Sequence, residues 1–396
     1  MYALSFKPNI MATRSTRIVF HNQTGFSLTK TEDGLSHGDW TDPWYPADVI
    51  NPNSVTEWRS ESDGVATGTE GSARYAINDG HGASVYVHWD NPFWGSNSYH
   101  QFTDDTFEVF HSGGGGDDAT VDFFLLRSIP HYVPYFLPSK NGFHFANSFG
   151  DVPYSLPPLR GSDLDWKYGN AKNGLCGGMV YTVKDYYESA AIIPDRRNPP
   201  MGEQDPLFIY LVNRLFDSFD IDDISLYLKY MNPLYPDTDE NIANALGLAD
   251  GRAFIMANVE FPIIRQDILS GKLSPMGLVM IKSLNPGDLG SNHQVMAYGY
   301  RMRGNHVEIY LYDPNSPDRD DIKLSFSAFS TAERIDVTHN VSAEGPIYCF
   351  FRTNYEYKRP PVDKFSLRLF AANHHFDPQF GFRNFSPPIS GFRSLF

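Results

Sequence analysis

Between residues 13 and 127 apolar and polar side chains alternate in short runs, at 17–20, 26–29, 55–58, 73–77, 84–89 and 119–125, and no helical period competes with them. A segment with period two can bury one face only as a strand. The runs are separated by Gly, Asn and Asp, most densely in Gly113-Gly114-Gly115-Gly116-Asp117-Asp118. Strands at that spacing, punctuated by such turns, predict an antiparallel β-sandwich over residues 13–128.

The pattern then breaks. Prolines at 130, 134, 138, 153, 157 and 158 make the passage 129–165 too rigid and too interrupted for a core element, so it reads as a linker and the irregular start of a second domain. Residues 166–355 follow, with helices expected at 177–190, 205–218, 221–231 and 262–270. Strands are expected at 252–257 and 276–282, then a hairpin of 294–300 and 306–312, and a last strand at 347–352. Helices first and antiparallel strands afterwards is an α+β order, so the whole chain is expected to be α+β. A length of 396 residues fits two cores better than one. From 356 to 396 phenylalanines recur among Asn, Pro and Gly, which reads as an extended arm held to the body by its rings, with an autoinhibitory tail as the alternative.

A formal charge of −15 disfavours a nucleic-acid partner, because displacing counterions from phosphates needs clustered Lys and Arg. No run of about 18 apolar residues is present to span a bilayer, and no signal peptide is evident. The expectation is a soluble protein, its compartment open between the cytoplasm and release without a leader. The two cysteines allow one bridge at most, which argues against a disulfide-built scaffold.

One of them, Cys176, stands in Asn173-Gly174-Leu175-Cys176-Gly177-Gly178-Met179, directly before a helix-like stretch. At a helix N-terminus the dipole stabilises a thiolate. A thiol nucleophile also needs a base and a group to orient that base. His293 heads one strand of the expected hairpin and Asp313 ends the other, so pairing the strands around the turn Arg303-Gly304-Asn305 brings them together. Cys349, inside Ile347-Tyr348-Cys349-Phe350-Phe351, reads instead as a small buried hydrophobe, His306 as exposed, and Asp185 as structural. His374-His375 lack further ligands at short spacing, and residues 313–321 lack the central Gly and final Glu of a calcium loop, so no metal or other cofactor is expected.

Cys176-Gly177 at a helix start, His293 at the head of a strand and Asp313 at the end of the next resemble the order in papain-like cysteine peptidases, over roughly 140–355. The resemblance implies nucleophile, base and orienter at those positions, a protein or peptide substrate, and the backbone N–H of Cys176 as half of an oxyanion hole. The family carries Gln six positions before the cysteine; this chain has Asn170, with Asn173 nearer, and Asn170 is the preferred second donor.

Five of the six tryptophans fall in the first hundred residues. The run His88-Trp89-Asp90-Asn91-Pro92-Phe93-Trp94-Gly95-Ser96, with Thr67-Gly68-Thr69-Glu70-Gly71, resembles the aegerolysin family over about 13–128. That resemblance implies a β-sandwich recognising sphingolipid-containing membrane surfaces. Trp40 and Trp44, in the loop 38–46, are the expected exposed pair, with Trp94 next, and these three are the expected lipid contacts because indoles favour the bilayer interface. An anionic protein gains nothing from acidic lipids, so zwitterionic headgroups fit better. Together these features describe a cysteine peptidase or amidase carried by a lipid-binding module, a toxin or defence effector. The alternative is a lipid- or glycan-binding protein, such as a pore component, with a vestigial triad.

Overall fold

The computed structural model describes residues 13–155, 168–202, 204–238, 250–328, 333–341 and 345–361. Ten strands make the first unit: β1 (Ser15–Asn22), β2 (Leu28–His37), β3 (Asp39–Trp40), β4 (Val49–Ile50), β5 (Ser54–Glu61), β6 (Thr69–Ile77), β7 (Ser84–Asn91), β8 (Ser98–Thr103), β9 (Phe107–Gly113) and β10 (Asp118–Arg127). They form two five-stranded sheets, ordered β3-β5-β1-β10-β9 and β4-β2-β6-β7-β8. Alternation does what the sequence implies: Ile18 and Phe20, Tyr75 and Ile77, Val87 and Trp89, and Val121 and Phe123 all turn inward. Trp58 and Trp89 are fully buried, and the Trp89 Nε1–H donates to Ser60 Oγ at 2.8 Å. Trp89 keeps its buried N–H satisfied in this way, whereas the Trp58 N–H meets no acceptor among the described residues.

Two features depart from expectation. The sandwich is not wholly antiparallel, because β1 and β10 run parallel in the register Ser15↔Asp118 to Asn22↔Leu125. The first and last strands lie side by side, and such a pair needs a long connection, here most of the unit. In β9, consecutive residues Phe107, Glu108 and Val109 are all buried, so this strand is covered on both faces. Its outer face meets the second unit: the Gly304 N–H donates to the Phe107 carbonyl at 3.0 Å, and the Arg265 guanidinium lies 3.3 Å from the Phe110 ring centroid.

The described part of the passage expected to be a linker and the irregular start of the second domain, residues 129–155, packs into the second unit. β11 (His131–Tyr132) pairs with Tyr300 and Gly299, and Phe136, Phe143, Phe145, Phe149 and Tyr154 are buried in its core. A short helix, α1 (Pro138–Asn141), and the ribbon of β12 (Pro153–Ser155) with β13 (Tyr168–Asn170) complete the approach.

Three helices follow: α2 (Cys176–Glu188), α3 (Pro206–Asp217) and α4 (Ile221–Met231). Asp205 caps α3 by accepting from the Leu207 N–H, and Asp220 caps α4 by accepting from the Asp223 N–H, each satisfying an otherwise orphaned donor. A seven-stranded sheet carries the remainder, with β14 (Ser274–Val279), β15 (His293–Arg303), β16 (His306–Tyr312), β17 (Lys323–Ser327), β18 (Thr338–His339) and β19 (Cys349–Arg352). Its order is β18-β17-β16-β15-β14-β19, and β11 also pairs with β15.

The strand expected at 252–257 is helical. α5 (Arg252–Phe254) passes through a π-helical stretch, Ile255–Glu260, into α6 (Phe261–Leu269). An apolar run of that length is ambiguous by period alone, and burial of Ala253, Ile255 and Met256 together suits a helix enclosed on several sides. Pro262 explains the wide turn, since it lacks an N–H and its ring crowds the carbonyl four residues back. Buried Arg252 caps the neighbouring chain, donating to the carbonyls of Tyr230, Asn232 and Tyr235 and to Asp237. No helix among the described residues is long and apolar enough to cross a membrane.

Candidate active site

Cys176 is the first residue of α2, and the chain around it explains its glycines. Gly174 has φ +90°, and a Cβ there would come within 2.7 Å of Asn147. A Cβ on Gly177 would lie 2.1 Å from Ser218 Oγ and 2.8 Å from Gln294 Oε1; one on Gly178 would lie 2.1 Å from the Leu211 carbonyl oxygen. Small residues therefore let α2 press against α3 and β15 and carry the sulfur up to the head of that strand. The Leu175 N–H donates to Asn147 Oδ1 at 2.6 Å, anchoring the turn before the cysteine.

His293 opens β15 and Asp313 follows the end of β16, where Met296↔Tyr312 is the last pair. The hairpin thus brings the two side chains together, with His293 Nε2 to Asp313 Oδ1 at 2.8 Å, and His293 lies close enough to Cys176 for each to shift the other's protonation. The three expected residues form one chain of contacts.

Their electrostatics agree. Burial pushes the Cys176 thiol up, but the hydrogen bond and charge of His293, with the backbone N–H groups of Gln294 and Gly177, bring it below the ordinary thiol value. Burial lowers His293, and its hydrogen bonds to Asp313 and Cys176 outweigh this, raising it to about 10. Asp313 is buried, yet donors from His293, His339 and the Asn315 N–H hold it well below the usual carboxylate range. Opposite shifts in neighbouring groups favour a thiolate–imidazolium pair backed by a carboxylate.

Cys176 and His293 open onto a cleft of about 590 Å³, walled by Asn147, Tyr154, Asn170, Phe219 and Met280 and by the turn Pro286–Ser291. Asn170 lines it, but its amide is engaged: Nδ2 donates to Asp151 Oδ1 at 2.5 Å and Oδ1 accepts from the Lys172 N–H at 3.0 Å. It caps the turn Ala171–Asn173 ahead of the cysteine. Asn147 approaches the cysteine loop from the passage expected to be a linker, which is why the sequence did not single it out.

Elsewhere the placements are mixed. Cys349 is fully buried, and burial pushes its thiol up; His306 is exposed, and Asp185 is buried against Arg214. Trp94 is 84% exposed and Trp44 39% exposed, the latter lying under the Arg59 guanidinium. Trp40 departs from expectation: its ring packs 5.8 Å from Trp89 and closes the edge of the sandwich core. Among the described residues no group of three or more His, Cys, Asp or Glu side chains could hold a metal ion. His374, His375 and the phenylalanine-rich arm beyond 361 lie outside the described residues, as does Trp166.

Fold and site together define an α+β chain with a β-sandwich ahead of a sheet-and-helix unit that gathers Cys, His and Asp at the mouth of a cleft. No protein-family profile matches the chain. An uncharacterized protein of Dictyostelium discoideum is 26% identical over 157 residues, which is 39% of this chain and 13% of that protein. Three solved structures are similar over 29% of the chain. They are the lipid-binding protein Nakanori (16% identity, 71% of its length, TM-score 0.27), RahU in complex with Tris (15%, 96%, 0.25) and IP-1A from Alcaligenes faecalis (18%, 92%, 0.25).

Proposed function

We propose that the chain is a papain-like cysteine hydrolase, a peptidase or amidase, with Cys176 as nucleophile, His293 as base and acid, and Asp313 as orienter. The observation that carries this reading is the placement of His293, which shares the cleft mouth with Cys176 and is hydrogen-bonded to a buried Asp313 carboxylate. The Cys176 thiolate attacks a substrate carbonyl carbon. The resulting oxyanion is met by N–H groups at the start of α2, where the helix dipole favours negative charge. His293 gives its proton to the departing amine as the C–N bond breaks, leaving a thioester on Cys176. Neutral His293 then takes a proton from water, whose oxygen attacks the thioester; the acid is released and the sulfur departs as thiolate. Iodoacetamide at neutral pH should label the protein at Cys176 and not the Cys176→Ala variant. Labelling that is undiminished in the variant sinks the assignment.

A second reading concerns the sandwich, and exposed Trp94 beside Phe93 favours it. An indole with little cover, next to another ring, is suited to an interface where apolar and polar layers meet. In this aegerolysin-like reading the first unit brings the hydrolase to sphingolipid-containing membranes as a toxin or defence effector. The non-catalytic form of the idea keeps the triad as scaffold only. Co-sedimentation of the full chain with sphingomyelin vesicles tests the targeting: binding unchanged in Cys176→Ala leaves it in place, and no binding to any sphingolipid mixture removes it, while alkylation at Cys176 separates the catalytic form from the scaffold form.

A further inference from the structure

Asp313 is held by two imidazoles. Its Oδ1 accepts from His293 at 2.8 Å and from the Asn315 N–H at 2.9 Å, while its Oδ2 lies 3.1 Å from Nε2 of His339. His339 ends β18, paired with Leu324 of β17, and its side chain is only 4% exposed. Asn340 fixes the strand end: its Oδ1 accepts from the Lys323 N–H at 2.8 Å, its Nδ2 donates to the Asp321 carbonyl at 2.7 Å, and its N–H donates to the Lys323 carbonyl at 3.1 Å. Charged side chains on these segments are engaged with one another, Lys323 with Glu308, Asp321 with Arg319 and Asp336 with Arg334.

The tautomer of His339 follows from its other nitrogen. The Val341 N–H points at Nδ1 from 3.3 Å, so Nδ1 accepts and the ring proton resides on Nε2. A neutral ring in that state carries its proton on the nitrogen 3.1 Å from Asp313 Oδ2, so the approach requires no positive charge. With both carboxylate oxygens occupied, the plane of Asp313 is set and one lone pair faces His293.

We propose that His339 is a positioning residue for the nucleophile–base pair, its Nε2–H locking the Asp313 carboxylate in the orientation that holds His293 against Cys176. This rests on Cys176 acting as the nucleophile. Removing the donor leaves a buried carboxylate oxygen unpaired; the group then turns to find a partner, and its bond to His293 loosens. The imidazolium is less well stabilised, and so is the thiolate it supports.

The test is the pH dependence of Cys176 alkylation by iodoacetamide in the full chain, over about pH 5 to 10. His339→Leu should move the acidic limb upward by about one pH unit, a roughly tenfold loss of rate on that limb. His339→Gln, which can still donate, should recover most of it. A His339→Leu limb that stays in place while the melting temperature falls, or that moves downward, overturns the proposal and leaves a structural role alone. Should the variants not fold, nitrogen NMR of the unmodified chain decides: Nε2 protonated and Nδ1 bare in His339 is expected, and the opposite tautomer overturns it. Failure of the unmodified chain to react at Cys176 removes the nucleophile and takes this proposal with it. A reactive Cys176 with an unmoved His339→Leu profile removes only the role of His339.

Discussion

His293 Nε2 and Asp313 Oδ1 stand 2.8 Å apart because one residue begins a strand and the other follows the end of its hairpin partner. The two-residue turn between β15 and β16, together with the register shift between Ala297 and Gly299, therefore sets the geometry of the base. Asp313→Asn should keep that geometry while presenting an amide where an acceptor is needed, which favours the wrong imidazole tautomer. The rate of Cys176 alkylation at neutral pH should fall by on the order of 10³-fold, with a much smaller change in the melting temperature. Reaction rates of the variant and the unmodified chain, read by mass spectrometry, check this.

The raised His293 fixes the sign of one pH effect. Its folded value of about 10 lies above the unfolded value, so its contribution to stability is full below about pH 6.5 and is lost as pH rises through about 10. The melting temperature of the unmodified chain should fall more steeply than that of His293→Gln between these limits. Parallel melting curves across the range would count against the paired state.

Gly177→Ala tests whether the glycines carry the nucleophile by close packing. The new methyl would meet Ser218 Oγ and Gln294 Oε1, and Ser218 cannot swing away freely because its own hydroxyl bonds the Leu215 carbonyl. A loss of about 1–3 kcal/mol is expected from overpacking, together with slower alkylation as Cys176 is displaced. Chemical denaturation and labelling on the same sample measure both.

The tryptophans should divide by depth. Trp58→Ala should cost about 3–5 kcal/mol, since that indole is fully enclosed by the sandwich. Trp94→Ala should stay within about 0.5 kcal/mol of the unmodified chain and lower sphingomyelin-vesicle binding. Full vesicle binding by Trp94→Ala would place the lipid contact elsewhere.

Asp185 and Arg214 form a buried pair, with side chains 0% and 1% exposed and a 2.7 Å contact. Asp185 also accepts from Tyr210, Tyr355 and the Lys358 N–H, and Arg214 donates to the Glu356 carbonyl, so the pair ties residues 355–358 to α2 and α3. Asp185→Ala should lower stability by about 3 kcal/mol, because the buried guanidinium loses its two-atom contact to Asp185 and keeps Asp217 as its carboxylate partner. Limited proteolysis should then cut near residue 358 sooner than in the unmodified chain.

Much of this arrangement is legible in the order of residues. The alternation that places Phe20, Tyr75 and Trp89 inward, the helix beginning at Cys176, and the nearness of His293 and Asp313 each depend on one element or one turn. His339 was not legible, because its two-residue strand reaches Asp313 only through the packing of β17 and β18. Asn147 was hidden in a proline-rich passage whose rings enter the second core, and Asn170 is occupied by Asp151 and Lys172, partners that spacing does not reveal.

Sequence alone determined the period of the strands, the glycine-flanked cysteine and the hairpin that pairs base with carboxylate, since each follows from local geometry. Tertiary structure decided the parallel meeting of β1 and β10, the helical course of residues 252–269, the partial burial of Trp40 and the second imidazole beside Asp313. These depend on what lies against each face. A strand's partner, and whether an apolar run is enclosed on one side or several, are properties of the packed whole.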